Sequence, residues 1–129
     1  MSSIQLQERL NHIQGCIQKS ALKSGRNPKQ ITLIAVTKSF PTEIWEQAIS
    51  INLKTLGESR IQETWKKVET FNKRNKIELH LLGHLQSNKV RKAVELFDVI
   101  QTVDSIKLAN RINSVCEEAL KKQSIFIQV

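Results

Sequence analysis

Five short apolar runs, separated by four stretches of helical spacing, constrain this chain more than any single motif does. The runs are 31–37, Lys54–Thr55–Leu56 leading into Gly57, 77–82 (IELHLL), 98–103 (DVIQTV) and Ser124–Val129. Their length and apolar character predict strands, the first of them buried up to Val36. Between them the period changes. Pro41 opens a helix through TEIWEQAIS. Residues 60–73 place Ile61, Trp65 and Val68 on one face. A helix beginning near Ser87 carries Val90, Val94 and Phe97, and one capped by Asp104 carries Leu108, Ile112, Val115 and Ala119. A further helix over 3–24, with Leu6, Leu10, Ile13 and Ile17 in register, precedes the first strand and is closed by Gly25 and Pro28. Strand–helix alternation with short loops predicts an α/β fold with a parallel sheet and right-handed crossovers. Two closures satisfy it: an open doubly wound sheet, or part of a (β/α)8 barrel. The chain stops on the last apolar strand with no helix behind it. The expectation is a single domain over 1–129, incomplete at its C-terminal side, with 1–30 as helix and linker and 31–129 as strands one to five with their helices.

The composition narrows the function classes. At 40% hydrophobic and 25% charged residues, it is that of an ordinary folded protein. No apolar run is long enough to span a bilayer, and the polar start MSSIQLQERL lacks the apolar core of a secretory leader. Cys16 and Cys116 are isolated and form no metal or redox spacing. They read as two buried, reduced thiols of a cytoplasmic protein. His80 and His84 are four apart but flank a strand end, which argues against zinc. The net charge of +8 raises nucleic-acid binding. The lysines are scattered over every helix, however, and tyrosine is absent, so no stacking platform exists. Solvated helix faces account for most of the excess charge, and an anionic small ligand also fits it.

In either closure, ligands bind at the carboxyl ends of the strands. Those positions hold Thr37 and Lys38; Gly57, Glu58 and Ser59; Gly83, His84, Gln86 and Asn88; Asp104; and Gln128. His80 lies within the third strand. Lys38 stands out, because it ends a buried apolar run. Desolvation disfavours an ammonium, and a neutral amine can attack a carbonyl to form a Schiff base. The plain alternative is a lysine with its head in water. For His80 the plain alternative is a hydrogen-bonded core imidazole. Gly57 and Gly83 sit where strands turn into helices, and backbone amides there suit anions, although glycine also simply permits the turn. No dinucleotide or Walker fingerprint is present.

Three segments carry a resemblance. LIAVTK (Leu33 to Lys38), LGESRIQE (Leu56 to Glu63) and LHLLGHLQSNKVR (Leu79 to Arg91) resemble the N-terminal motifs of the pyridoxal phosphate homeostasis proteins, single-domain relatives of the alanine racemase barrel. DVIQTVDS (Asp98 to Ser105) and the terminal IFIQV fit their places in that family. The resemblance covers essentially the whole chain. It implies a (β/α)8 barrel of the TIM type, here an incomplete barrel of about five parallel strands, with pyridoxal 5′-phosphate held as a Schiff base on Lys38 and with Ser59 and His80 beside it. Ser59 stands where the family usually has Asn, and Leu79 where it usually has an aromatic residue. The glycine-rich loops that clamp the cofactor phosphate belong to the strands this chain does not supply. The expectation is therefore weak cofactor binding and poor folding for the piece alone.

The resemblance implies a monomeric binding protein for vitamin B6 homeostasis, with no catalytic residues and no metal. Its partners would be the cofactor and apoenzymes that receive it, not nucleic acid or membrane. An amino acid racemase is the alternative. Racemisation needs acid–base groups on both faces of the cofactor, and the tyrosine that serves alanine racemases has no counterpart in a chain without tyrosine.

Overall fold

The computed structural model describes residues 2–129. Helix α1 (Ser3–Lys23) starts at a capping box. The Ser2 hydroxyl accepts from the Gln5 amide at 3.2 Å, and the Gln5 side chain accepts from the Ser2 amide at 3.1 Å. Two amides that a helix start would leave orphaned are thereby satisfied. Leu10 and Ala21 are buried on this helix, whereas Ile13, in register with Leu10, is exposed.

Strands and helices then alternate: β1 (Ala35–Val36), α2 (Glu43–Ser50), β2 (Thr55–Glu58), α3 (Ile61–Glu69), β3 (Glu78–Leu81), α4 (Val90–Leu96), β4 (Val99–Val103), α5 (Ile106–Ala119) and β5 (Ser124–Ile127). All neighbouring strands are parallel, and the sheet order is β1-β2-β3-β4-β5. A doubly wound sheet reverses its order at a switch point. This one never reverses. Sequential order is that of barrel winding, so the sheet is a five-strand arc of the barrel type.

One face of the arc is the core. Leu56, Leu79, Leu81 and Ile100 leave the strands to meet Trp45 and Ala48 of α2, Val90, Ala93 and Val94 of α4, and Leu108, Ile112 and Val115 of α5. Trp45 meets Phe71 edge to face, with ring centroids 5.1 Å apart. Each fully buried Leu or Ile contributes about 1.5–3 kcal/mol relative to an exposed one, so this layer dominates the fold's stability. Strand alternation carries Val36, Gly57, His80 and Val99 to the opposite face. The register makes them one row across four strands.

Four expectations need correction. The first strand is short, because Ala35 pairs with Leu56 and β2 begins at Thr55; among the described residues the backbone before Ile34 has no partner strand. The third helix ends at Glu69, and Phe71 turns in against Trp45 instead of extending it. The cap of α5 is Ser105, whose hydroxyl accepts from the Leu108 amide at 3.1 Å, and not Asp104. Cys116 is buried, but Cys16 is exposed, since α1 turns that side to solvent.

Candidate functional site at the carboxyl ends of β1 to β3

Lys38 lies in the turn just beyond β1, and it is exposed. Strand pairing continues one residue past β1: the Thr37 amide donates to the Gly57 carbonyl at 2.9 Å. Alternation thus puts Thr37 on the core side and Lys38 in phase with Val36 and Ile34. Lys38 enters none of the ion pairs formed among the described residues. Ser39, next in the chain, has φ 67°, a left-handed value that a non-glycine residue adopts only when its surroundings hold it there.

The surroundings are a buried polar cluster beneath the turn. Thr37, Glu58 and Lys67 are at most 5% exposed. Lys67 Nζ donates to Glu58 Oε1 at 2.9 Å, to Glu58 Oε2 at 3.0 Å and to the Thr37 carbonyl at 3.0 Å. The Thr37 hydroxyl donates to Glu58 Oε2 and accepts from Trp45 Nε1, the latter at 3.0 Å. Every polar atom of the cluster has a partner, as a buried ion pair requires. The Ser39 amide donates to Glu63 Oε1 at 2.9 Å, and Lys67 Nζ lies 3.8 Å from that same oxygen. Sequence periodicity did not find Lys67. It placed Ile61, Trp65 and Val68 on the buried side of α3, and those are partly buried, but Thr64 and Lys67 lie deeper. The available signal was Glu58, a carboxylate closing an apolar strand.

Ser59 lines an open groove of about 590 Å³ with Arg60, Glu63, His84, Gln86 and Lys89. The loop after β3 comes hard against it: a Cβ on Gly83 would stand 2.1 Å from the Ser59 carbonyl oxygen. Thr102 Oγ1 donates to the Gly83 carbonyl at 2.7 Å from the other side. His84 Nδ1 lies 4.0 Å from Asp104 Oδ2, and both side chains are well exposed.

His80 occupies a different place. Its ring is buried on the row one step below Lys38 and Ser59, where it lines a recess of about 440 Å³ with Ile34, Gln101 and Phe126. Gln101 Nε2 donates to His80 Nδ1 at 2.8 Å, and His80 Nε2 donates to Glu78 Oε1 at 2.7 Å. Leu82 fills the space over Gly57, where a Cβ would stand 2.4 Å from Leu82 Cδ1. The structure therefore brings Lys38 and Ser59 to one rim of the sheet and sets His80 below it, with both ring nitrogens engaged by protein. No group of three or more His, Cys, Asp or Glu side chains suited to a metal occurs among the described residues. No helix there is long and apolar enough to cross a membrane.

No protein-family model matches the chain. Curated proteins do. A pyridoxal phosphate homeostasis protein of Vibrio alginolyticus is 38% identical over 132 residues, covering 100% of this chain and 56% of that protein. The protein of the same name from Escherichia coli K12 is 34% identical over 122 residues, covering 93% and 52%. The chain is a homologue of the pyridoxal phosphate homeostasis proteins. It spans about half the length of these homeostasis-protein relatives. Among solved structures, PipY of Synechococcus elongatus with PLP bound is 36% identical at a TM-score of 0.74, covering 84% of this chain and 51% of that one. An unknown protein from Bifidobacterium adolescentis superimposes at a TM-score of 0.87 with 26% identity, covering 95% of this chain and 54% of that one. Alanine racemase of Clostridium difficile, at 15% identity and a TM-score of 0.66, shares the fold. These likenesses bear out the barrel-type architecture and the family resemblance of the three motifs.

Proposed function

We propose that this chain holds pyridoxal 5′-phosphate on Lys38 and serves vitamin B6 homeostasis rather than catalysis. The carrying observation is Lys38 itself: a primary amine, exposed and free of ion pairs, at the carboxyl end of the first strand of a barrel-type sheet. The names of the curated relatives, and the PLP bound to PipY, support the choice of cofactor. The cofactor supplies an aldehyde that condenses with a primary amine, releasing water. The chain's own residues offer the amine and fix its place. Ser59, on the same rim, offers a hydroxyl to the bound cofactor. His80 shapes the floor of the face, with its ring nitrogens committed to Gln101 and Glu78.

Residues 1–129 act as one cofactor-binding unit in this reading. The protein is a monomer in the cytoplasm, limits the free aldehyde, and passes the cofactor to apoenzymes. Racemisation is not expected, because the chain has no tyrosine to act on the second face of the cofactor. An assay with D- and L-alanine checks this.

The direct test is to mix the purified chain with pyridoxal phosphate, reduce with borohydride, and map the labelled peptides by mass spectrometry. Label confined to Lys38, and lost in Lys38→Ala, is the expected result. Label spread over many lysines, or absent, overturns the proposal.

A further inference from the structure

We infer that helix α3 acts as a clamp on the backbone of Lys38, with Glu63 and Lys67 as positioning residues for the Lys38 amine and Glu58 as the anchor that holds Lys67. This rests on the reading of Lys38 as the cofactor lysine. The two peptide units that flank Lys38 are both gripped by α3. On the near side, Lys67 Nζ donates to the Thr37 carbonyl at 3.0 Å. On the far side, Glu63 Oε1 accepts from the Ser39 amide at 2.9 Å. Glu63 and Lys67 are one helical turn apart, so a single rigid face makes both contacts.

The burial is costly and therefore informative. Taking a carboxylate and an ammonium out of water is repaid only by good geometry and full hydrogen bonding. An apolar pair on β2 and α3 would hold those two elements together as well. What it would not do is donate to the Thr37 carbonyl. The Lys67 ammonium has three protons. Glu58 and the Thr37 carbonyl receive them, so the strand-end peptide is built into the ion pair. The Thr37 hydroxyl and the Trp45 indole close the cluster from the α2 side. Ser39 at φ 67° is the consequence on the far side: the turn is held in a left-handed conformation by an acceptor placed for its amide. Lys38 itself is left out of this network. Its backbone is fixed while its amine stays free, which is the arrangement that orienting a reactive amine calls for.

The test compares labelling of Lys38 in the full 129-residue chain and in three variants. Glu63→Ala removes the acceptor for Ser39 and alters only a half-buried side chain; Glu63→Gln keeps an acceptor. The double variant Glu58→Gln with Lys67→Met removes both buried charges and the donor to Thr37. Each is treated with limiting pyridoxal phosphate and borohydride, and Lys38 labelling is measured against the other lysines. Melting by circular dichroism and hydrogen exchange at the Ser39 amide are followed in parallel. In Glu63→Ala and the double variant, Lys38 labelling should fall about tenfold relative to the other lysines. The melt should be retained, Ser39 should exchange faster in Glu63→Ala, and Glu63→Gln should restore labelling. Wild-type labelling of Lys38 in a folded double variant and in Glu63→Ala overturns the clamp. So does loss of labelling that appears only together with loss of the melt, which assigns these residues to folding alone. If the unaltered chain does not label selectively at Lys38, the failure lies with the proposed function, and the variants are not what decided it.

Discussion

Gln101 Nε2 stands 2.8 Å from His80 Nδ1, and it is the donor there because the ring's other nitrogen faces the Glu78 carboxylate, which can only accept. With Nδ1 accepting, the proton sits on Nε2 and is donated to Glu78. Replacing Gln101 by Met leaves Nδ1 buried without a donor, at a cost of about 1–3 kcal/mol. Denaturant unfolding measures the cost, and nitrogen chemical shifts of the imidazole report the tautomer. Full stability in Gln101→Met, or a ring that carries its proton on Nδ1 in the unaltered chain, would contradict this assignment.

The Glu58–Lys67 pair makes an asymmetric prediction. Lys67→Met alone strands a buried carboxylate and should cost about 3–5 kcal/mol. Adding Glu58→Gln to it should recover much of that loss, because the uncompensated charge is gone. A double-mutant cycle by chemical denaturation gives the coupling. Additive losses would mean that the two side chains do not depend on one another.

Gly83 is fixed by closeness and not by its backbone angles. Gly83→Ala places a methyl group against the Ser59 carbonyl, a backbone atom with no room to rotate away. The rim must spread, at about 1–3 kcal/mol. Gly15 on α1 has nothing within 4 Å of the same position, so Gly15→Ala should be neutral or stabilising and serves as the control.

On the surface, Arg91 donates to Glu118 at 2.6 Å, linking α4 to α5. The hydrogen bond from Arg91, and then its charge, hold the Glu118 carboxyl below its usual 4.5, and Glu118 raises Arg91 in return. A carboxyl depressed in the folded state stabilises above its unfolded pKa and loses that contribution as pH falls through the folded value. The pair's effect should therefore fade from about pH 4.5 downward and shrink with added salt. Titration of Glu118 by NMR checks it: Arg91→Leu should return the carboxyl to the ordinary range.

Periodicity made the strand count, the helix order and the placement of Lys38 legible, since each is a local property of spacing. The barrel-type closure was legible only through the family motifs, because alternation alone also fits a doubly wound sheet; the strand order decides it. The length of β1 was hidden, since it depends on where β2 begins to pair. Lys67 was hidden for a related reason. A lysine is buried only when a carboxylate awaits it, and Glu58 reaches it across the β2–α3 turn. His80 was legible as a residue within the third strand, but its partner Gln101 comes from the next strand and had no sequence signature. Ser105 and Asp104 compete for one cap by a single residue, below what spacing resolves.

The uninterrupted strand order bears on how the chain is made. Every paired strand lies roughly twenty residues from its partner, across one helix. Closing loops of that size is cheap compared with the long closures of a Greek-key sheet. A chain emerging from the ribosome N-terminus first can lay down each strand against one already in place. Assembly then proceeds as a moving front, and at each moment the newest strand carries the unpaired amides that the following one will cover.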